Sequence, residues 1–201
     1  MRIRTHTNPF NYFARMQPID FESLFTNFKG IFDLEVGFGR GLFIQDYATR
    51  HPDRPIVGVE VRKNVVEVLQ KRIDVAGLKN VHLIHGNAQI ALEDVVPDAS
   101  VANCFVFHPD PWFKKSHRKR RVINQKFLKI LSQKMTRNGL LYLSTDVEGL
   151  WNDMQETLTE SGLFTPIDTP EFWENHYKTN WQRWSVEDQR TSYFGTFECQ
   201  N

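Results

Sequence analysis

"IFDLEVGFGRG", from Ile31 to Gly41, is the stretch on which the fold turns. Ile31 to Val36 is a short, mostly apolar run that reads as a strand, ended by glycines at 37, 39 and 41. "LFIQDYATRH" follows with apolar residues at helical spacing and a stop at Pro52. A strand, a glycine turn and a helix open a parallel α/β sheet, and such a sheet binds its ligand at that turn. Gly37, Gly39 and Gly41 let the backbone turn sharply and approach a ligand, although a purely structural tight turn would use the same residues. The spacing is not the dinucleotide pattern GxGxxG, because the third glycine comes one residue early, and no GK[ST] follows.

Outward from this stretch, strands and helices alternate. "PIVGVEV" reads as a second strand and "RKNVVEVLQKRIDVAG" as a helix. On that helix Val65, Val66, Leu69, Ile73 and Ala76 share a face, and Gly77 is the C-cap. "NVHLIHG" and "ASVANCFVFH" are the third and fourth strands, and Ile123, Phe127, Ile130 and Leu131 line the next helix. "GLLYLSTD" is a fifth strand, "GLWNDMQETLTESG" a helix and "TSYFGTFE" a final strand. The expected class is α/β, a parallel sheet with helices on both faces. The last two strands are expected to close its edge as a β-hairpin. Residues 1–30, irregular and aromatic, read as an arm packed on a single domain, 31–201.

The net charge of +1 predicts no polyanion, but its distribution does. Pro111 to Leu140 carries ten Lys or Arg and no acid, whereas Asp146 to Asn175 carries eight acids and no Lys or Arg. Two cysteines, Cys104 and Cys199, match neither a CxxC pair nor a zinc spacing, and Cys104 reads as a reduced core thiol. No metal-ligand set emerges, and His82 and His85 read as packing or surface residues. With no signal-peptide pattern and no apolar stretch long enough to span a bilayer, the cytoplasm is the expected compartment.

Around the glycine loop, polar residues stand where a ligand would need them. Glu60 ends the second strand about twenty residues beyond the loop, where an acid accepts from ribose hydroxyls; a surface strand-end charge is the bland alternative. Asn87, after the third strand, would bond an adenine edge or merely cap the next turn. With Glu35 before the loop, the set suits an adenosyl ligand. S-adenosylmethionine fits better than NAD, since Glu35 can face a cationic amino end.

"HPDPWFKKSHRKRR", His108 to Arg121, fixes one acid between prolines and follows it with Trp112 and a basic run. Taken in order, "LEVGFGRG", "GVE", this segment and "STDVE" resemble the tRNA (guanine-N7)-methyltransferase family over nearly the whole chain, as does the opening "RIRTHTNPF". The resemblance implies a seven-stranded Rossmann-like methyltransferase sheet. It also implies methyl transfer from S-adenosylmethionine to guanosine 46 in the variable loop of tRNA. Bacterial members work without an obligatory protein partner, whereas eukaryotic ones recruit a WD-repeat protein. The implied cofactor set is Glu35, Gly37, Gly39, Glu60, Asn87, Ala88 and Asp110, with Asp110 also the active-site residue. Lys114 and Asp146 fall on substrate positions. "TNWQ", Thr179, Asn180, Trp181 and Gln182, matches the family's late T-x-[FY]-E element.

In that reading Asp110 addresses the base, while Lys115, Arg118, Lys119, Arg120 and Arg121 contact RNA phosphates. A solvated helix start is the alternative for the run, and Trp112 would either stack on a base or pack beneath the loop. Gln182 replaces the usual Glu, Val147 the common Trp, and His108 stands where an aromatic or small polar residue is expected. Rival readings are a non-catalytic tRNA-binding protein on the same fold, an NAD-dependent oxidoreductase, and a small-molecule methyltransferase. Cofactor binding separates the first, glycine spacing disfavours the second, and the basic run is unexplained by the third.

Overall fold

The computed structural model describes residues 8–201; the opening "RIRTHT" lies outside the described residues. After a 3-10 turn at Pro9–Asn11, the chain forms α1 (Phe21–Leu24), β1 (Phe32–Val36), α2 (Leu42–Arg50), β2 (Ile56–Glu60) and α3 (Lys63–Ala76). Next come β3 (Val81–His85), α4 (Ala88–Asp94) and β4 (Val101–Phe107). A 3-10 helix, Lys115–Arg120, precedes α5 (Gln125–Lys134), β5 (Met135–Thr145) and α6 (Glu148–Ser161). The chain ends with β6 (Phe164–Ile167), α7 (Pro170–Asn175), α8 (Asn180–Glu187) and β7 (Tyr193–Cys199).

Strand order is β3-β2-β1-β4-β5-β7-β6, with β7 antiparallel to both neighbours and the remaining pairs parallel. Period-two alternation sorts the side chains into two cores. Leu34, Cys104, Val106, Leu141 and Leu143 join one; Phe105, Phe107 and Tyr142 join the other with Phe43 and Tyr47 of α2. The order switches direction between β1 and β4, which opens a crevice at the carboxyl ends of the strands. Glu60, Asn87 and Asp110 all follow or end strands at that edge.

Local chemistry explains most boundaries. Gly77 ends α3 in the left-handed region at φ 68°, and Asn80 Nδ2 bonds the carbonyls of Ala48, His51 and Arg54 where α2 gives way to β2. Leu69 and Ile73 are the buried face of α3, whereas Ala76 in its last turn is exposed. The described part of the N-terminal segment packs on the domain, since Phe21 and Phe25 are buried and Met16 N donates to Asp94 at 2.8 Å.

The expected terminal hairpin is corrected. β5 and β7 are antiparallel neighbours, but α6, β6, α7 and α8 intervene. β6 gave no clear strand signal because it is four residues with Pro166 among them, and two of the four are exposed. Proline is tolerated there because β6 is the sheet edge.

Candidate active site

The glycine loop is held open by its backbone. Gly37, Gly39 and Gly41 have φ of 74°, 53° and 72°. A Cβ on Gly41 would lie 2.4 Å from Leu69 Cδ2, so α3 can approach the loop only past a glycine. Gly39 N donates to Glu60 Oε2 at 3.1 Å, tying the loop to the end of β2.

Asp33 and Glu35 leave the same face of β1, both buried. Asp33 accepts from Tyr47 Oη (2.8 Å), Arg54 Nε and Nη2 (2.9 Å each) and Asn103 Nδ2 (2.7 Å). By contrast, Glu35 Oε2 is buried without a hydrogen-bond partner. Burial, and then the charge of Glu60, push the Glu35 carboxyl up to about 8. An orphaned buried carboxylate oxygen at a cavity wall is costly unless a ligand completes it. The cationic amino end of S-adenosylmethionine has the charge that fits.

Glu60 is fully engaged. Arg62 N and Nε donate to Oε1 at 3.1 and 3.0 Å, and Arg62 Nη2 donates to Oε2 at 2.9 Å, alongside Gly39 N. Asn87 is the N-cap of α4: its Oδ1 accepts from Gln89 N (2.9 Å) and its Nδ2 donates to Pro9 O (3.1 Å). Glu60, Asn87, Ala88 and Pro9 all border one cavity, of about 210 Å³.

A second cavity, of about 260 Å³, is bordered by Glu35, Gly39, Thr179, Asn180, Trp181 and Trp184. Asp110 belongs to the walls of both, with Gly37, Arg62, Phe107 and His108. Two non-glycine residues in the left-handed region, His108 (φ 49°) and Trp112 (φ 44°), bracket Asp110 between its prolines. His108 explains its own departure from the family pattern. Its ring is buried, with Nε2 2.5 Å from Tyr177 Oη and Nδ1 3.7 Å from Asp146 Oδ1.

Asp146 does not border either cavity. Buried, it accepts from Arg190 Nη1 at 2.7 Å and Ser185 Oγ at 3.3 Å, and so fastens α8 and its exit to the end of β5. Thr179 caps α8, accepting from Gln182 N at 2.8 Å. Thr at the N-cap with Gln at the third helical residue is a capping-box pairing, which accepts Gln as readily as Glu. Gln182 itself is not in the wall of the second cavity.

The basic run divides into inward and outward cations. Trp112 packs beneath the loop, 7% exposed, with the Arg120 guanidinium 5.0 Å from its ring centroid. Arg121 is also turned in. Its side chain is 11% exposed, Nε donates to Pro111 O at 2.8 Å, and Nη1 pairs with Asp153. Arg121 thus props the Asp110 loop from within, and it borders the first cavity. Arg118 is half-exposed and lies 3.6 Å from Asp153. Lys114, Lys115 and Lys119 are exposed and make no ion pair among the described residues. Of these three, Lys119 borders the first cavity.

A family described as "Putative methyltransferase" matches residues 30–196. A tRNA (guanine-N(7)-)-methyltransferase of Prochlorococcus marinus is 30% identical over 200 residues, 93% of this chain and 95% of that protein. The chain belongs to the tRNA (guanine-N(7)-)-methyltransferase family. Proteins of the same name from Idiomarina loihiensis and Thermotoga maritima are 34% and 31% identical, over 75% and 87% of this chain. The chain spans 63% and 56% of their respective lengths. Among solved structures, the 16S rRNA methyltransferase KamB superposes with a TM-score of 0.65 at 16% identity, covering 92% of this chain and 96% of its own. The aminoglycoside resistance methyltransferase NpmB1 gives 0.58 at 18%, covering 89% and 91%. These two establish the fold alone: a seven-stranded methyltransferase sheet.

Of the residues expected from the sequence to hold the cofactor, Glu35, Gly37, Gly39, Glu60, Asn87, Ala88 and Asp110 all border the paired cavities. Thr179, Asn180 and Trp181 join them, whereas Lys114, Asp146 and Gln182 lie outside the cavity walls. Sequence reasoning missed Arg62, Pro9, Tyr177 and Trp184. Arg62 follows Glu60 by two residues and Tyr177 precedes Thr179 by two, but an isolated Arg or Tyr carries no signal of which way it will turn.

Proposed function

We propose that the chain transfers a methyl group from S-adenosylmethionine to nitrogen 7 of guanosine 46 in the variable loop of tRNA, acting in the cytoplasm. The observation that carries this reading is Asp110, rigidly bracketed in a wall common to two cavities. One cavity is bordered by the Glu60 carboxylate, and the other by Glu35 with its orphaned oxygen.

S-adenosylmethionine, when bound, supplies a methyl group on a positively charged sulfur. Glu35 would hold its cationic amino end, and Glu60, which already accepts from Arg62, would accept from its ribose hydroxyls. Gly37 and Gly39 admit the ligand against bare backbone, and Ala88 and Asn87 border the space for the base. Guanine nitrogen 7 has an exposed lone pair, so no general base is required, and the protein's task is alignment. Positive charge moves into the purine as the methyl transfers, and a fixed carboxylate at Asp110 stabilises it. Phosphate contacts fall to the outward cations Lys114, Lys115 and Lys119, with Arg118 and Arg120 at their flank. A binding-only protein would have no use for a buried Glu35 with one oxygen unsatisfied at the cavity wall, and this weighs against that rival.

The test is methyl transfer from labelled S-adenosylmethionine to two unmodified transcripts, one with guanosine and one with adenosine at position 46. Label confined to the guanosine transcript is expected. Label on both would discard the assigned position, and label on neither would discard the activity.

A further inference from the structure

We propose that Phe113 is a stacking platform for a nucleobase neighbouring the target guanosine. The inference rests on the RNA-substrate reading above and extends it to a residue outside the cavity walls. Phe113 is 68% exposed, directly after Trp112, which is 7% exposed. The left-handed turn at Trp112 separates the two rings, sending the indole beneath the loop and leaving the phenyl at the surface. The indole is already occupied: Arg120 lies over its ring at 5.0 Å, and His117 meets it edge-on at 5.9 Å. Phe113 is therefore the aromatic ring of this segment most open to a base arriving from solvent.

Three surroundings select a nucleobase as the occupant. Lys114 and Lys115 follow immediately, both exposed, and neither makes an ion pair among the described residues. A phenyl ring beside unneutralised cations matches a strand that presents flat bases and phosphates together. No acid occurs from Pro111 to Leu140, so nothing on this segment repels a polyanion. Asp110 stands three residues back, and three residues span no more than about 11 Å of chain. A base on Phe113 would thus flank the one addressed by Asp110. Phe has no polar handle, so the contact tolerates any base and fixes position rather than sequence.

The experiment is titration of unmodified tRNA across a salt series with wild type, Phe113→Ala, Phe113→Leu and Phe113→Trp. Leu keeps apolar bulk without a flat ring, and the exposed position lets each variant fold. Affinity is expected to fall roughly 5- to 100-fold in the Ala and Leu variants and to persist in Trp. The slope of log affinity against log salt should be unchanged in all four, because no phosphate contact is lost. Indole emission of Phe113→Trp should be quenched as RNA binds, above the signal change of the wild-type tryptophans. Equal affinity of Phe113→Ala and wild type would overturn the proposal, as would Leu binding as well as Trp. A loss confined to anionic lipid vesicles, with tRNA binding intact, would reassign the ring to a membrane surface and overturn it too. If wild type itself failed to bind tRNA, the RNA-substrate reading would fall first, a result distinct from a failure of Phe113 alone.

Discussion

Asp33 and Glu35 occupy the same face of β1 in similar burial, and their partners set their roles. Asp33 is saturated by Tyr47, Arg54 and Asn103 and serves the fold; Glu35 keeps one oxygen without a hydrogen bond at a cavity wall, which suits the proposed ligand role. The sign of the pH effect follows from the raised Glu35 carboxyl. Between the ordinary value of 4.5 and about 8 the folded protein keeps a proton that the unfolded chain has lost. Its contribution to stability is therefore full below the lower value and is lost as pH rises through the window. Cofactor binding runs the other way, since a cationic amino group needs the ionised form. Affinity for S-adenosylhomocysteine, which shares that amino end, should rise by up to about tenfold per pH unit until about pH 8 and then level. Calorimetry over that range checks it, with proton release visible as a dependence on buffer. Glu35→Gln should bind more weakly and flatten the profile; an unchanged profile in that variant would exclude Glu35 as the titrating group.

At the scale of elements, the basic segment shows how a charge run is partitioned by its turns. Six of the eight residues from Lys114 to Arg121 are Lys or Arg, yet the 3-10 helix sends them to different tasks. Arg121 buttresses Pro111, and with it the Asp110 loop; Lys115 and Lys119 face solvent. Replacing Lys115 and Lys119 together by Ala should weaken tRNA binding and lower the salt slope by roughly 1.5 to 2. Arg121→Ala should instead reduce stability with little change in slope, as seen by denaturant titration beside the same binding assay. The sequence announced the run but not this division, because the direction of each side chain depends on Asp153 and Pro111, remote from it or reversed by the turn. β1 to β5 were legible because each is an apolar run closed by glycine, proline or a charged turn. β6 was not, since an edge strand with Pro166 lacks that pattern. The order that sets β7 between β5 and β6 depends on packing of α7 aromatics against Tyr142 and Phe107, which no local signal encodes.

For the whole molecule, the switch between β1 and β4 gathers at one sheet edge residues that the sequence scatters from 35 to 184. Glu35, Glu60 and Asp110 could be placed together beforehand because each lies at or just past the carboxyl end of a strand, and those ends share an edge in a parallel sheet. Asp146 also stands at a strand end, but it meets Arg190, Ser185 and His108 and fastens α8 to β5 outside the cavity walls. A ligand that spans both cavities should stabilise the domain as a unit. S-adenosylhomocysteine at about 100 times its dissociation constant supplies about 2.7 kcal/mol, which for a chain of this size raises Tm by roughly 5–10 °C. NAD at the same concentration should give no shift in a thermal melt. Stabilisation by NAD instead would revive the oxidoreductase reading.

Asp110, in a wall common to both cavities, is proposed to act on the methyl transfer itself. Single-turnover transfer to the guanosine-46 transcript, measured for wild type and Asp110→Ala with cofactor binding followed in parallel by calorimetry, tests it most directly. A loss of at least about a hundredfold in transfer, with cofactor still bound, is the expected result. Near wild-type turnover in that variant would remove Asp110 from the chemistry of the transfer.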